Sequence, residues 1–340
     1  MRRLDVAMVG AGFIARTHVP AWIALGARVR VFSTDGQAVR LAEEFEVTET
    51  SPLEEALEWA TVVDICTPTT THRDIALAAF EAGADVLCEK PLALAPADAL
   101  EMTYAADKAG PQLYPGHVVR FFPAYVRLRE AINSGALGRV AVARFTRTGR
   151  CPTWSAWFAD PALSGGIVTD QMLHDMDIAR WLFGEVVTIH ATQRGHLTAP
   201  APEGAVATGS ATLTHASGVI SQVLGIWAPP DTPFRYTFHV AGSNGTLTHD
   251  SLAHPSLRLI GRAGAEADGV PSSDFGEDPF ATQIREFAAA FQGGPAPRVS
   301  ALDGVAAVRI AAAARQSAAT GRAVAVEETS PQQLMEGNHR

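Results

Sequence analysis

Near the middle of the chain, three ionisable side chains recur at helical spacing. The stretch Ser164-Gly165-Gly166-Ile167-Val168-Thr169-Asp170-Gln171-Met172-Leu173-His174-Asp175-Met176-Asp177 leads into Arg180-Trp181-Leu182-Phe183-Gly184. A helix over Asp170–Phe183 sets Asp170, His174 and Asp177 at i, i+4 and i+7 on one face. Met172, Leu173, Met176, Ile178 and Leu182 occupy most other positions, which predicts a largely buried helix. Ionisable groups on such a helix must be hydrogen-bonded or line a cavity. By residue type alone the set suits a functional cavity, a satisfied core network, a simple cap at Asp170, or metal ligation. No second cluster of ligand residues accompanies it, so no metal is expected.

A second group of motifs lies in the first third. Gly10-Ala11-Gly12-Phe13-Ile14-Ala15 follows a strand-like run and opens a helical one, a G-x-G-x-x-A pattern. The first glycine permits the tight turn, and the second lets backbone approach a pyrophosphate at the helix N-terminus. In a βαβ context this predicts dinucleotide binding; alone it would be an ordinary turn. Two further stretches end later strands, where ligands bind in open α/β sheets: Cys66-Thr67-Pro68-Thr69-Thr70-Thr71-His72 and Cys88-Glu89-Lys90-Pro91. Taken blandly, Thr69–Thr71 is a helix cap, Glu89 and Lys90 a solvated ion pair, and Pro91 a turn former.

The elements that position these residues follow from periodicity. Strand-like runs at Asp5–Gly10, Arg28–Phe32, Val62–Cys66, Asp85–Cys88 and Gln112–Gly116 alternate with helical patterns at Gln37–Phe45, His72–Ala82 and Pro96–Ala109. That alternation predicts a parallel sheet with right-handed crossovers. Beyond about Arg120 the rhythm changes. A helix over Phe122–Ser134 precedes strands at Arg139–Thr148, Val186–Arg194, Ala205–Thr214, Gly218–Ile226 and Phe234–Ala241, which implies an antiparallel sheet. Gly261–Asp278 has loop composition, and a helix over Leu302–Ala319 ends at Gly321, a glycine C-cap. The expected domains are residues 1–120, residues 121–330 and a tail at 331–340.

Composition narrows the class. A chain of 340 residues with 47% hydrophobic and 19% charged residues exceeds one ordinary core but is well suited to two. A net charge of −9 and the absence of a Lys/Arg run argue against nucleic acid as a partner. Cys66, Cys88 and Cys151 are too few and scattered for a disulfide framework. Arg2 and Arg3 precede an apolar stretch, but Asp5 interrupts it, and no run reaches membrane-spanning length. A cytoplasmic protein with no membrane partner is expected.

Taken in order and with their separations, these motifs resemble the Gfo/Idh/MocA oxidoreductase family, which includes inositol dehydrogenases and glucose–fructose oxidoreductase. The resemblance rests on Gly10–Ala15, Cys66–His72, Glu89-Lys90-Pro91, the Gly165–Asp177 block and the closing Ser317–Val326 pattern. It implies a Rossmann domain, then an α/β domain whose open, mostly antiparallel sheet commonly forms subunit interfaces, hence a homodimer or homotetramer. It also implies an active site between the domains. Ser164 stands where a third glycine is common, and Met172 where many members have glycine; neither touches a reacting group.

The resemblance assigns roles for hydride transfer between nicotinamide and a CH–OH or C=O group of a sugar, inositol or related polyol. His174 is the general acid/base, since its pKa suits proton transfer around neutrality. Lys90 hydrogen-bonds the reacting oxygen and stabilises its developing charge. Asp170 orients His174 or anchors a hydroxyl. Asp177 binds a further hydroxyl or serves as a cap or salt bridge, and Glu89 positions the cofactor side. Trp154 and Trp157 flank the substrate ring or pack as plain aromatics, and His117 and Arg120 lie at the domain junction. Cofactor contacts are expected from Gly10, Gly12, Phe13, Ile14, Ser33, Thr34, Asp35, Thr67, Pro68, His72, Glu89 and Lys90. Ser33 stands where an acidic residue usually selects NAD, so NADP or dual use is expected, with Asp35 as the residue that would restore NAD preference. The competing functions are reduction of another small carbonyl or dihydrodiol, and a non-catalytic sensor that binds nucleotide. A sensor tolerates loss of the lysine and histidine, whereas Lys90, Asp170 and His174 stand together here.

Overall fold

In the computed structural model, residues 3–152, 156–195, 206–229, 231–253, 257–261 and 277–327 are described. Two compact units result, one from residues 3–121 and 277–305 and the other from 122–261 and 306–327. The division departs from the sequence boundary at 120/121 because residues 277–305 fold with the N-terminal unit. Trp154, the tail at 331–340 and most of the 261–278 loop lie outside the described residues.

The first unit is built on β1 (Asp5–Val9), β2 (Arg28–Phe32), β3 (Thr48–Glu49), β4 (Val62–Ile65), β5 (Asp85–Glu89) and β6 (Leu113–Gly116). They form a parallel sheet in the order β3-β2-β1-β4-β5-β6. Strand order therefore reverses between β1 and β4, the switch point at which open α/β sheets bind ligands. The sequence pattern missed β3 and the helix Leu53–Trp59, both short. It also missed the helix Pro279–Phe291, whose N-cap Asp278 accepts the Phe280 N–H at 3.0 Å. Ile284 and Phe287 of that helix are fully buried in one core with Val6, Met8, Trp22, Val31 and Leu41. Burial of each contributes about 1.5–3 kcal/mol, which is why so late a segment completes the N-terminal unit.

Continuing in chain order, the second unit contains β7 (Val140–Arg150), β8 (Val186–Arg194), β9 (Ala207–His215), β10 (Ile220–Ala228), β11 (Arg235–Gly242), β12 (Gly245–Asp250), β13 (Leu257–Gly261) and β14 (Val324–Ala325). The order is β13-β12-β11-β7-β10-β9-β8-β14, antiparallel throughout except the β7–β10 pair. β12, β13 and β14 extend the sheet beyond the strands the pattern marked. The long helix Ala301–Thr320 ends as expected, with Gly321 at φ +68° donating to Ser317 O at 2.8 Å. Ser317 Oγ accepts the Ala191 N–H at 2.8 Å and donates to Arg322 O at 2.6 Å, fastening that helix to the sheet.

The helix expected over Asp170–Phe183 is two helices, Gly166–Asp170 and Met172–Phe183, broken at Gln171. The break coincides with a slot in the sheet. Gly209 and Gly225 are cross-strand partners on β9 and β10. A Cβ on Gly209 would lie 2.5 Å from Met172 Sδ, and one on Gly225 would lie 2.6 Å from Met172 Cγ. The methionine side chain thus occupies the volume that the two glycines leave.

Candidate active site

At the switch point the backbone is made for close approach. Gly10 has φ +106°, donates to Phe32 O at 2.8 Å, and could not carry a side chain: a Cβ there would stand 2.5 Å from Cys66 O. Gly12 is the N-cap of the helix Phe13–Ala24, and nothing lies within 4 Å of where its Cβ would be. No acidic residue occupies the first turn of that helix, so the partial positive charge of its N-terminus is uncompensated. An open cradle of this kind fits a dinucleotide pyrophosphate. Phe13 is 72% exposed beside it, and Ile14 is half-buried.

After β2 the loop is ordered by its own side chains. Ser33 Oγ accepts the Ala38 N–H at 2.9 Å. Asp35 accepts the Gln37 N–H at 3.0 Å and its side-chain amide at 2.8 Å, while Thr34 is exposed. The bond from the Gln37 backbone holds the Asp35 carboxyl below its ordinary pKa. Ser33 and Asp35 therefore both tie the start of the helix Gln37–Phe45 to the loop.

His72 faces inward. It is buried, with Nδ1 2.9 Å from Pro91 O and Nε2 2.9 Å from Thr67 O. A neutral ring donates one of these bonds and protonation completes the other. Burial nonetheless lowers its pKa, the two carbonyls opposing that effect. The ring is a clip between the Thr67-Pro68 and Lys90-Pro91 turns. The threonine run does not cap the next helix; Thr71 donates its hydroxyl to Thr67 Oγ1 at 2.7 Å.

Glu89 and Lys90 are not a solvated pair. Glu89 is buried; one carboxylate oxygen accepts the Lys90 N–H at 3.1 Å, and the other lies 3.6 Å from His18 Nε2. His18 is fully buried, with Nδ1 at 3.0 Å from Asp64, which also accepts from Trp22 Nε1 at 2.7 Å. Cys66 Sγ lies 3.4 Å from the same carboxylate. Among the described residues, His18, Asp64 and Cys66 form the one group with metal-type ligands close together, and these atoms bond one another. Burial pulls the His18 pKa down, but Asp64, with help from Glu89 and Asp278, raises it above the usual value. Burial raises Glu89, against the pull of His18 and Lys90. The sequence offered one overlooked signal for this cluster: an acid inside the apolar run Val62-Val63-Asp64-Ile65, which a buried strand tolerates only with partners.

In the second unit, Asp170 ends one short helix and His174 sits in the first turn of the next. Asp177 is buried. Asp175, adjacent to His174, forms a buried ion pair with Arg147 on β7, two bonds of 2.9 Å, and accepts the Tyr125 hydroxyl at 3.0 Å. Burial lowers the arginine's pKa, but Asp175 more than offsets it and the net shift is upward. Arg147, a charge inside a strand, was a second overlooked signal. Trp157 is half-buried and stacks on Phe158 at 3.9 Å. Arg120 is buried in the first unit, 3.2 Å from Asp303, and His117 is buried as well.

Exposure separates the expected reacting groups from their neighbours. From Val86 to Ala93 every residue is buried except Lys90, and from Ile167 to Ala179 every residue is buried except Asp170 and His174.

Comparison with known proteins adds independent findings. Residues 4–117 match the model described as the oxidoreductase family, NAD-binding Rossmann fold, and residues 125–248 match the GFO/IDH/MocA C-terminal domain. The chain is 31% identical to a 1,5-anhydro-D-fructose reductase of Ensifer adhaerens, over 94% of this chain and 98% of that protein. It is 30% identical to an inositol 2-dehydrogenase of Rhizobium meliloti over the same shares of each. Among solved structures, GenD2 from gentamicin A biosynthesis in complex with NAD superposes with a TM-score of 0.80 at 29% identity, covering 96% of this chain and 97% of that one.

Proposed function

The chain belongs to the Gfo/Idh/MocA family of NAD-binding oxidoreductases, and from that premise we propose that it moves hydride between nicotinamide and a CH–OH or C=O carbon of a sugar, inositol or related polyol. One observation carries this reading: Lys90, Asp170 and His174 are the side chains that reach solvent from otherwise buried stretches. The cradle of Gly10, Gly12 and the following helix N-terminus would hold the dinucleotide, which when bound supplies the hydride acceptor or donor.

The chain's own residues do the rest. His174 takes the hydroxyl proton during oxidation and returns it during reduction. Lys90 donates a hydrogen bond to the reacting oxygen and offsets the negative charge that develops there. Asp170 orients His174 or anchors a neighbouring hydroxyl, and Trp157 offers an apolar ring face to the substrate. A neutral, polyhydroxylated molecule suits this mixture of carboxylates and an aromatic ring.

For the cofactor, the proposal is use of NADP alongside NAD. Ser33 follows β2 where an acidic residue would usually read the ribose, and Asp35 lies two residues further on with its carboxylate bonded to Gln37. The assembly proposed is a homodimer or homotetramer through the open face of the second sheet. There Val142, Thr146, Leu224 and Ile226 are half-exposed, beside the exposed Arg144 and its partner Gln222.

A panel of inositols, hexoses and other polyols with NAD and NADP, followed by absorbance of the reduced nicotinamide, tests the reading. Turnover on a polyol supports it. Binding of either nucleotide with no turnover on any member would favour a sensor.

A further inference from the structure

The chain holds a buried polar assembly with no part in the chemistry described above. His18 comes from the helix that follows the glycine turn, Asp64 from β4 and Glu89 from the end of β5. Asp64 is hydrogen-bonded to His18 Nδ1 at 3.0 Å and Glu89 Oε2 accepts the Lys90 N–H at 3.1 Å, while His18 Nε2 and Glu89 Oε1 stand 3.6 Å apart, an ion-pair separation without a hydrogen bond. A Cβ on Gly116 would stand 2.5 Å from Glu89 Oε1, so β6 closes the remaining side of that carboxyl group. His72 holds the far side of the same turn through Pro91 O.

Placing three ionisable groups at or near zero exposure carries a desolvation cost of several kcal/mol per charge unless they are bonded to one another. A core needing only volume would be served by apolar residues. The assembly ends on the backbone of Lys90, whose ammonium must be placed to within a fraction of an ångström if it is to meet a reacting oxygen.

We propose that Glu89 and His18 are positioning residues for Lys90: the Glu89 carboxyl group, braced by His18 against Asp64, fixes the Lys90 backbone and thereby where its ammonium group stands. The proposal rests on Lys90 being the reacting lysine, and its test is independent of that assignment. The titratable and charged groups facing the pair are Asp64, Cys66, Cys88, Lys90 and Asp278. Glu89 and His18 both hold protons to higher pH than free side chains do. The brace therefore changes as pH rises, and Lys90 registers the change.

The chain makes a direct readout practical, because Lys90 and Lys108 are its only lysines. Reductive methylation with ¹³C-formaldehyde labels both, and Lys108, exposed on the helix Pro96–Ala109, serves as the internal control. In the unsubstituted protein the Lys90 methyl resonance should show a pH inflection that Lys108 lacks. Glu89→Gln and His18→Gln should each displace that resonance and abolish the inflection, leave Lys108 unmoved, and keep the NADH dissociation constant within threefold. Exchange of the Lys90 backbone amide should quicken at least tenfold in both. Glu89→Gln preserves shape, so it decides the matter alone if His18→Gln does not fold. A Lys90 resonance and amide unchanged in Glu89→Gln would overturn the proposal. Normal turnover in Lys90→Ala would instead refute the catalytic assignment and leave the positioning result standing.

Discussion

Gly225→Ala should damage catalysis from beneath the site, and the structure sets the scale. The new methyl would stand 2.6 Å from Met172 Cγ and 2.9 Å from Gln171 Oε1. Carbon atoms in contact lie about 3.5–4.0 Å apart, so Met172 must retreat by about 1 Å. Met172 begins the helix that carries His174 two residues later, and a misplacement of about 1 Å lowers turnover by as much as about 10²-fold. The overpacking itself should cost about 1–3 kcal/mol in stability. Met172→Ala alone should cost about 2–5 kcal/mol through the cavity it leaves. If the methionine fills the glycine slot, the two changes are not independent: the alanine methyl enters space the methionine has vacated. The double variant should then be no less stable than Met172→Ala, a coupling of about 1–3 kcal/mol. Urea unfolding of the four proteins, with turnover on the best substrate, makes the measurement. Additive losses within about 0.5 kcal/mol would refute the slot, as would full turnover in Gly225→Ala.

Asp175→Ala leaves the Arg147 guanidinium buried without its partner and should cost about 3–5 kcal/mol, whereas the double substitution Arg147→Met with Asp175→Leu should recover most of that loss; a loss under about 1 kcal/mol in the single variant would show that water reaches the pair. For pH, the folded-state pKa of His18 is raised, so its contribution to stability is complete below about 6.5 and is lost as pH rises through the folded value. Glu89, also raised, acts in the same direction, over a window that opens above about 4.5. Urea midpoints should therefore fall more steeply above about pH 6.5 in the unsubstituted protein than in the His18→Gln/Glu89→Gln double variant, and parallel curves would contradict the assignment. Asp35→Ser should change the ratio of kcat/KM for NAD and NADP by less than about tenfold; a preference for NAD above about a hundredfold in the starting protein, about 2.7 kcal/mol, together with its loss in the variant, would show that Asp35 governs the ribose.

Much of the first unit was legible because its strands are short and β-branched, and because glycines at 26, 83 and 110 close the helices that precede them. Arg28–Phe32, Gln37–Phe45 and Pro96–Ala109 have the bounds that periodicity alone assigns. The helix Pro279–Phe291 was not, since most of its partner core lies far earlier, between Leu4 and Phe121, and local pattern carries no such address. The break at Gln171 was hidden for a related reason: periodicity continues through it, and the glycines that receive Met172 stand on distant strands. At the site, side-chain type pointed to Lys90, Asp170 and His174, which the structure leaves within reach of solvent. It did not show that His72 and Glu89 are buried, because a motif shows which turn a residue belongs to but not whether its side chain faces inward. The inward set of His18, Asp64 and Glu89 shows only when three separate segments are brought together.

Turnover of Lys90→Ala and His174→Ala, measured on the best polyol beside NADH affinity from fluorescence, tests the central claim most directly. Each substitution should lower kcat by at least about 10²-fold, the scale for removing a general acid/base or the donor that steadies developing charge, while His174→Ala keeps its NADH dissociation constant within about threefold. Near-normal kcat in either variant would contradict the account and remove that residue from the reaction.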